Sequence, residues 1–502
     1  MTASRLPISV SPWITRLSLL GALGLGLLFR WPGLRWGLPL KFAHIDEAVV
    51  IHYSMRIVAG ALNPGFYDYP GFFLYLLAGL FRILGTLHGV LGGAGMDELA
   101  GLYYAGSADF FTLAARALTV GFALLTIGLT FSMGRRRGGA WVGFGAASLL
   151  AVNALHVRES HYGTVDVAAA FFTLWAMDRI LDFGLSRRVR DGGEAAFLVG
   201  LAAATKYYPG ILFAPLVLLP WWARHERPVY ASAVVSLLTA AGFFCGSPFT
   251  LLAGGEFAAR FAHLAPKIVG VPNSSAVILP TLANLWRNAG PAALGAGVLG
   301  IGYALAEKGV WRLLSVLWLT LFAFLGLWRG QAPHYSLALY PPLFLFAFRA
   351  AERIPRRGPA VMPLFAAILL ALSVPSSLRE VRIARATDTR LLAGKWVREN
   401  VPPGSKILRF AHTPEFNAGD PFSVSVDFTN RRLANASTNW EKTRDDILSF
   451  DGILYSSFDP ENDPVLGVLN KNLVVVHRES GFPPRFPHHP QVTLFAGPGR
   501  VR

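Results

Sequence analysis

A single cysteine, Cys245, occurs in 502 residues, which excludes an internal disulfide and any cysteine-rich metal site. That lone thiol is expected to be buried as a small hydrophobe. Charge is also scarce: 15 % of residues are Asp, Glu, Lys or Arg, where a soluble protein carries nearer a quarter. No glycine-rich phosphate loop follows a strand pattern, so nothing points to a nucleotide-binding fold. No internal repeat stands out either. The apolar run Leu17 to Phe29 lacks a small-residue cleavage site and leads into Arg30, Trp31 and Arg35. It reads as an uncleaved first helix, not a signal peptide.

Apolar residues fill the space that charge leaves. They make up 53 % of the chain, with aromatics at 13 %, and Gly and Pro are as frequent as transmembrane helices tolerate. The formal charge of +16 is spread over short clusters between apolar segments, the positive-inside pattern and not the footprint of a nucleic-acid binder. Segments near spanning length lie at 13–30, 112–134, 138–156, 166–184, 229–252, 289–306, 310–328, 334–348 and 359–375. Two further stretches, 70–91 and 195–222, complete a polytopic α-helical membrane protein of about eleven membrane helices.

The basic clusters orient these segments. They are Arg135-Arg136-Arg137, Arg187-Arg188 with Arg190, Arg224 with Arg227, Lys308 with Arg312, and Arg349, Arg353, Arg356 and Arg357. If all are cytoplasmic, 195–222 must enter and return, breaking at Thr205-Lys206-Tyr207-Tyr208-Pro209-Gly210, with Lys206 at the apex of a tight helical hairpin. A snorkelling lysine without a role is the alternative there. Residues 36–111 form one large external loop, whose apolar run after Tyr69-Pro70-Gly71 lies in the interface or dips in without spanning. The domain boundary falls at 375/376. Residues 1–375 are the transmembrane module, and 376–502 are an extracytoplasmic α/β domain with a helix over Thr389–Asn400. Strands are expected at Lys406–Phe410, Ser423–Phe428, Gly452–Phe458 and Asn472–His477.

Polar groups then gather on the outer face. His44-Ile45-Asp46-Glu47 puts two carboxylates directly after the first apolar segment, and carboxylates at a bilayer edge are costly enough to read as functional. Arg158, Glu159 and Asp166 lie in the second external loop, Lys206 at the hairpin apex, and Arg329, His334 and Tyr335 in a later external turn. Each alone fits a solvated loop. Together they suit glycosyl transfer from a phospholipid carrier. A carboxylate takes the proton of an acceptor hydroxyl or amine as it attacks the anomeric carbon, and cations offset the charge of the departing phosphate.

Several motifs resemble the GT-C superfold of polytopic glycosyltransferases that use polyprenyl-phosphate sugars. The likeness is closest to the branch of protein O-mannosyltransferases and of aminoarabinose and other lipopolysaccharide sugar transferases. The resemblance rests on His44 to Ala48, Tyr67-Asp68-Tyr69-Pro70-Gly71, Arg116, Arg135-Arg136 and His156-Val157-Arg158-Glu159-Ser160 with Thr164-Val165-Asp166. Gly200-Leu201 through Tyr207 and Trp396 to Gly404 extend it over most of the chain. It implies Asp46 as the catalytic carboxylate, Glu47 as a supporting acid, and Asp166 as a second carboxylate of the same pocket. It implies Lys206, Arg329, His334 and Tyr335 for the carrier phosphate, with Arg158, Glu159 and Tyr69 in the substrate pocket. Tyr69 departs from the pattern, because aminoarabinose transferases place a lysine before the proline.

Other readings stay beside this one. A flippase of lipid-linked sugars would want carboxylates at midplane on broken helices, and a non-catalytic assembly partner would need none of these residues. A divalent metal on His44, Asp46, Glu47 and His52 has the right donor atoms, but helical spacing does not put all four on one face. The expected partners are a polyprenyl-phosphate-linked sugar, a lipid, glycan or protein acceptor, and the bilayer, but no nucleic acid. The expected location is the cytoplasmic (inner) membrane, with the site outside. The sequons at Asn273 and Asn435 are expected to be incidental, and His412 and the pair His488-His489 to be surface residues of the polar tail.

Overall fold

A computed structural model describes residues 12–104, 109–268, 278–327, 332–354, 358, 360–416, 419–427, 440–480 and 490–497. Arg329, both sequons and His488-His489 lie outside the described residues. The chain divides into two compact units: Met1–Leu34, Val49–Gly93 and Leu113–Val381 form one, and Arg35–Ala48, Ala94–Thr112 and Arg382–Arg502 the other. The second unit therefore takes in Asp46 and Glu47, which a boundary at 375/376 assigns to the helical module.

The helices are α1 (Pro12–Arg30), α2 (Ile45–Val58), α3 (Phe72–Val90), α4 (Met96–Tyr104), α5 (Asp109–Gly138), α6 (Ala140–Ala151), α7 (Ala154–Glu159), α8 (Asp166–Ser186) and α9 (Val189–Thr205). They continue as α10 (Phe213–Trp222), α11 (Pro228–Gly246), α12 (Phe249–Leu252), α13 (Gly254–Ile268), α14 (Leu279–Ala289) and α15 (Pro291–Ala306). Last come α16 (Val310–Gly326), α17 (Tyr340–Glu352), α18 (Val361–Arg385) and α19 (Thr389–Asn400). Among the described residues five helical stretches are long and apolar enough to cross a membrane: Pro12–Gly33, Phe72–Val90, Asp109–Gly138, Pro228–Gly246 and Val361–Asn400. α14 and α15 pass that test as a pair but bend by 118° at Gly290, whose φ of +80° suits a residue without a Cβ. The chain is a multi-pass membrane protein.

Two expectations change here. α3 is one continuous helix, long and apolar enough to cross a membrane, so the run does not dip in and return. Phe72 and Phe73 pack on Phe172 of α8 and Phe122 of α5, so its apolar face is spent on protein as well as lipid. The segments 138–156 and 334–348 form helices of only 12 and 13 residues, α6 and α17. Nearly every α17 side chain is buried, as befits a helix that is apolar all round.

The break at Lys206 falls where expected, but the partner of α9 is α11, not a tight return through α10. A Cβ added at Gly200 would lie 2.2 Å from the Thr239 carbonyl oxygen, and one at Gly242 would lie 2.2 Å from that of Phe197. Small residues let the two backbones touch, as at many membrane helix interfaces. Cys245 lies off that stripe and is exposed, against the expectation of burial.

The second unit holds a mixed five-stranded sheet in the order β2-β1-β3-β5-β4, with β1 (Lys406–Phe410), β2 (Ser423–Asp427), β3 (Gly452–Ser457), β4 (Val474–Glu479) and β5 (Gln491–Ala496). β1 runs parallel to β2 and β3, while β5 is antiparallel to β3 and β4. Alternation along β1 splits its side chains between faces. Leu408 and Phe410 pack with Ile447, Leu466 and Leu469 from the short helices Trp440–Leu448 and Pro464–Asn472. Ile407 packs with Ala393 and Val397 of α19. Asp388 caps α19, and that helix and β1 match their expected bounds. β5 was not anticipated.

Candidate functional site

Asp166 is the first residue of α8, where the exposed amides of the helix terminus favour a carboxylate. Lys206 ends α9 in an extended conformation (φ −151°, ψ 142°), which turns its side chain off the helix axis. Its ammonium donates to Asp166 Oδ1, and the two side chains are only 7 % and 8 % exposed. His334 Nε2 stands 4.0 Å from the same oxygen. The Lys206 ammonium also lies 4.3 Å from the Tyr335 ring centroid and 5.5 Å from that of Tyr69. Five of the expected residues thus meet: Tyr69, Asp166, Lys206, His334 and Tyr335. One carboxylate faces a lysine and a histidine between two aromatic rings, a group whose nitrogen donors could hold an anion such as a phosphate.

Arg158 and Glu159 behave differently. They pair with each other, Arg158 Nε and Nη2 donating to Glu159 Oε1 at 3.0 and 2.8 Å, with Tyr162 and Glu380 close enough to act on Arg158. Their charges are spent locally, as in a structural pair. Arg116 and Arg30 are both fully buried: Arg116 donates to the Leu34 carbonyl at 2.7 Å, and Arg30 to the carbonyls of Gly26 and Ala151, to Ser160 Oγ and to His156 Nδ1. The basic end of α5 is tied to α8. Arg136 and Arg137 each reach Asp178 at 2.6 Å, and Arg137 reaches Asp182 at 2.8 Å.

Asp46 and Glu47 occupy the first turn of α2, Asp46 half-buried and Glu47 buried. The Glu47 amide points to His44 Nδ1 at 3.4 Å. His412, expected at the surface, is half-buried; burial first, then its neighbours Arg390 and His44, pushes its imidazole down to about 4. The metal set does not assemble: Glu47 is buried, His52 is exposed more than a turn further along α2, and among the described residues no three His, Cys, Asp or Glu converge.

Three contributors were not anticipated. Tyr208 sits beside Asp166 and Tyr335. The amphipathic α13 covers the Tyr67–Tyr69 segment, with Arg260 gripping both Asp68 oxygens at 2.6 Å, and Phe257 and Phe261 against Tyr207. Glu415 and Arg390 hold the segment before Asp46. The pattern of α13 was readable as an amphipathic helix; the last two carried no local signal.

The chain has the GT-C fold of polytopic glycosyltransferases. Among solved structures it is similar to ArnT from Cupriavidus metallidurans bound to undecaprenyl phosphate, with 14 % identity, a TM-score of 0.55, and coverage of 98 % of this chain and 100 % of that one. It is also similar to the Archaeoglobus fulgidus oligosaccharyltransferase in complex with Zn and sulfate, at 12 % identity and a TM-score of 0.51, over 92 % of this chain and 71 % of that one. The same enzyme tethered to an acceptor peptide matches at 12 % identity and TM-score 0.51, over 94 % and 73 %. No protein-family model and no curated protein matches the chain.

Proposed function

We propose that this protein is an integral-membrane glycosyltransferase that moves a sugar from a polyprenyl-phosphate carrier to a cell-envelope lipid, glycan or protein on the outer face of the inner membrane. The observation that carries the proposal is the buried Asp166–Lys206 pair ringed by His334, Tyr335 and Tyr69, in a chain with the GT-C fold. A lysine with one carboxylate, two rings and a histidine about it is suited to a phosphate that arrives on a lipid. The ArnT neighbour is bound to undecaprenyl phosphate, and the oligosaccharyltransferase neighbour to an acceptor peptide, a donor carrier and an acceptor of the expected classes.

The reaction is a single displacement. The acceptor oxygen or nitrogen attacks the anomeric carbon, the bond from that carbon to the phosphate oxygen breaks, and polyprenyl phosphate leaves. The acceptor proton passes to the Asp46 carboxylate, with Glu47 supporting it. Lys206 and His334 offset the negative charge gathering on the leaving phosphate. One displacement at one carbon inverts its configuration. An Asp46→Asn variant is expected to abolish transfer with abundance and thermal stability unchanged. The assay is mass spectrometry of envelope glycolipids and glycoproteins from cells with and without the protein, which identifies sugar and acceptor together. Full product from the Asn variant would sink the role of Asp46. Flux of a lipid-linked sugar without product would favour a flippase.

A further inference from the structure

The peptide leading into Asp46 is held by its backbone. Residues Arg35–Ala48 and Arg382–Arg502 belong to one compact unit. The Glu415 carboxylate accepts from two successive amides, Lys41 at 2.9 Å on one oxygen and Phe42 at 2.7 Å on the other. At the next residue the Ala43 carbonyl accepts from Arg390 Nη1 at 2.8 Å. Arg390 is itself 1 % exposed and locked by Asp388, whose two oxygens accept from Nε at 2.8 Å and Nη2 at 2.6 Å. Its guanidinium lies 5.7 Å from the Trp36 ring centroid. Gly37 takes φ +69°, and a Cβ there would fall 2.6 Å from that of Ala43, so 37–43 folds tightly back on itself. α2 starts two residues after Ala43, its first hydrogen bond running from the Ala48 amide to the His44 carbonyl.

Charge-assisted bonds of this kind are roughly twice as strong as neutral ones. Three consecutive residues pinned in this way leave the first turn of α2 little freedom to tilt or slide. We infer that Glu415 and Arg390 are positioning residues, through which the sheet domain sets the orientation of the α2 first turn and so aims the Asp46 carboxylate. Neither needs to touch substrate. The inference rests on the reading of Asp46 as the reacting carboxylate.

The test uses the full chain in detergent and in cells, comparing Glu415→Ala, Glu415→Gln, Arg390→Lys and Asp46→Asn. Glu415→Ala frees the amides of Lys41 and Phe42, so hydrogen exchange over 41–48 rises about tenfold while β1, β3 and β5 keep their protection. Envelope product falls about a hundredfold, the scale of an ångström misplacement of a reacting group. Binding of undecaprenyl phosphate stays at the wild-type level, which a merely unfolded protein would not manage. Glu415→Gln offers one acceptor oxygen for two amides and recovers part of the product. Arg390→Lys keeps the charge but loses the fork, and should lower product in the same way, so it serves if Glu415→Ala fails to accumulate. Normal exchange at 41–48, or full product from Glu415→Ala when Asp46→Asn gives none, overturns the inference. Full product from Asp46→Asn instead overturns the reading of Asp46, and exchange alone then decides whether the clamp exists.

Discussion

Replacing Lys206 by Met, with Asp166 left in place, strands a carboxylate in a site where it is 8 % exposed. Breaking a buried ion pair from one side costs about 3–5 kcal/mol, because the remaining charge has lost its partner but not regained water. The loss of the ammonium over Tyr335 adds on the order of 1 kcal/mol. At about 2 °C per kcal/mol for a large domain, the combined loss should lower the apparent Tm in detergent by about 8–12 °C. Asp166→Asn should cost a comparable amount. The double variant, neutral on both sides, should regain most of the loss, leaving a coupling of about 3 kcal/mol between the two positions. Thermal unfolding of the four proteins measures that cycle. Undecaprenyl phosphate binding on the same samples separates packing from function: stability returns in the double variant, but binding does not, since the cation is gone. Losses under about 2 °C for each single variant, or strictly additive losses in the double, would refute the picture of a buried, mutually dependent pair.

The remaining predictions concern the sheet domain and the helix packing. His412 titrates at about 4 in the folded protein against roughly 6.5 unfolded. The unfolded chain therefore takes up a proton between pH 6.5 and 4 that the native state refuses, and stability falls as pH drops through that window by on the order of 2 kcal/mol. His412→Gln should shrink the fall in Tm between pH 7 and 4.5; an unchanged fall would assign the acid sensitivity elsewhere. Gly200→Val should lower Tm by several degrees, since its Cβ would meet the Thr239 carbonyl oxygen at 2.2 Å and overpacking costs about 1–3 kcal/mol. Gly302→Ala, with nothing within 4 Å of the added Cβ, should be neutral or better, and equal effects at the two glycines would contradict the α9–α11 contact.

What could be read from residues alone follows the range over which each interaction acts. Periodicity is local, and it located α19 and β1 to the residue and the break at Lys206. Composition is global, and it was enough for a multi-pass helical protein. β5 was missed although Gln491-Val492-Thr493-Leu494 alternate, because the alternation lasts only four residues, while in the fold all six residues are buried. The continuity of α3 escaped for a different reason: the positive-inside argument assigns sides to loops, and a helix flanked by few basic residues is invisible to it. Cys245 shows the limit of inferring burial from residue type in a membrane, where a lipid-facing helix surface is as apolar as a core.

The site divides along the same line. Asp166 and Lys206 are 40 residues apart, each at the end of a helix whose terminus was legible, so their meeting was within reach once α8 and α9 were oriented. Glu415 and Lys41 are 374 residues apart, and the bond runs from a side chain to a backbone amide. A backbone partner leaves no trace in the sequence at all: any residue but proline at 41 and 42 offers the same N–H. The consequence is specific. Substitutions of the Lys41 and Phe42 side chains should leave the Glu415 bonds intact, whereas proline at either position removes one of the two donors and should reproduce half the exchange defect of Glu415→Ala. Lys41→Pro and Lys41→Met, compared by hydrogen exchange over 41–48, separate the backbone from the side chain. An equal effect from both would mean that the Lys41 ammonium over Tyr103, at 4.1 Å from the ring centroid, holds the segment in place of Glu415.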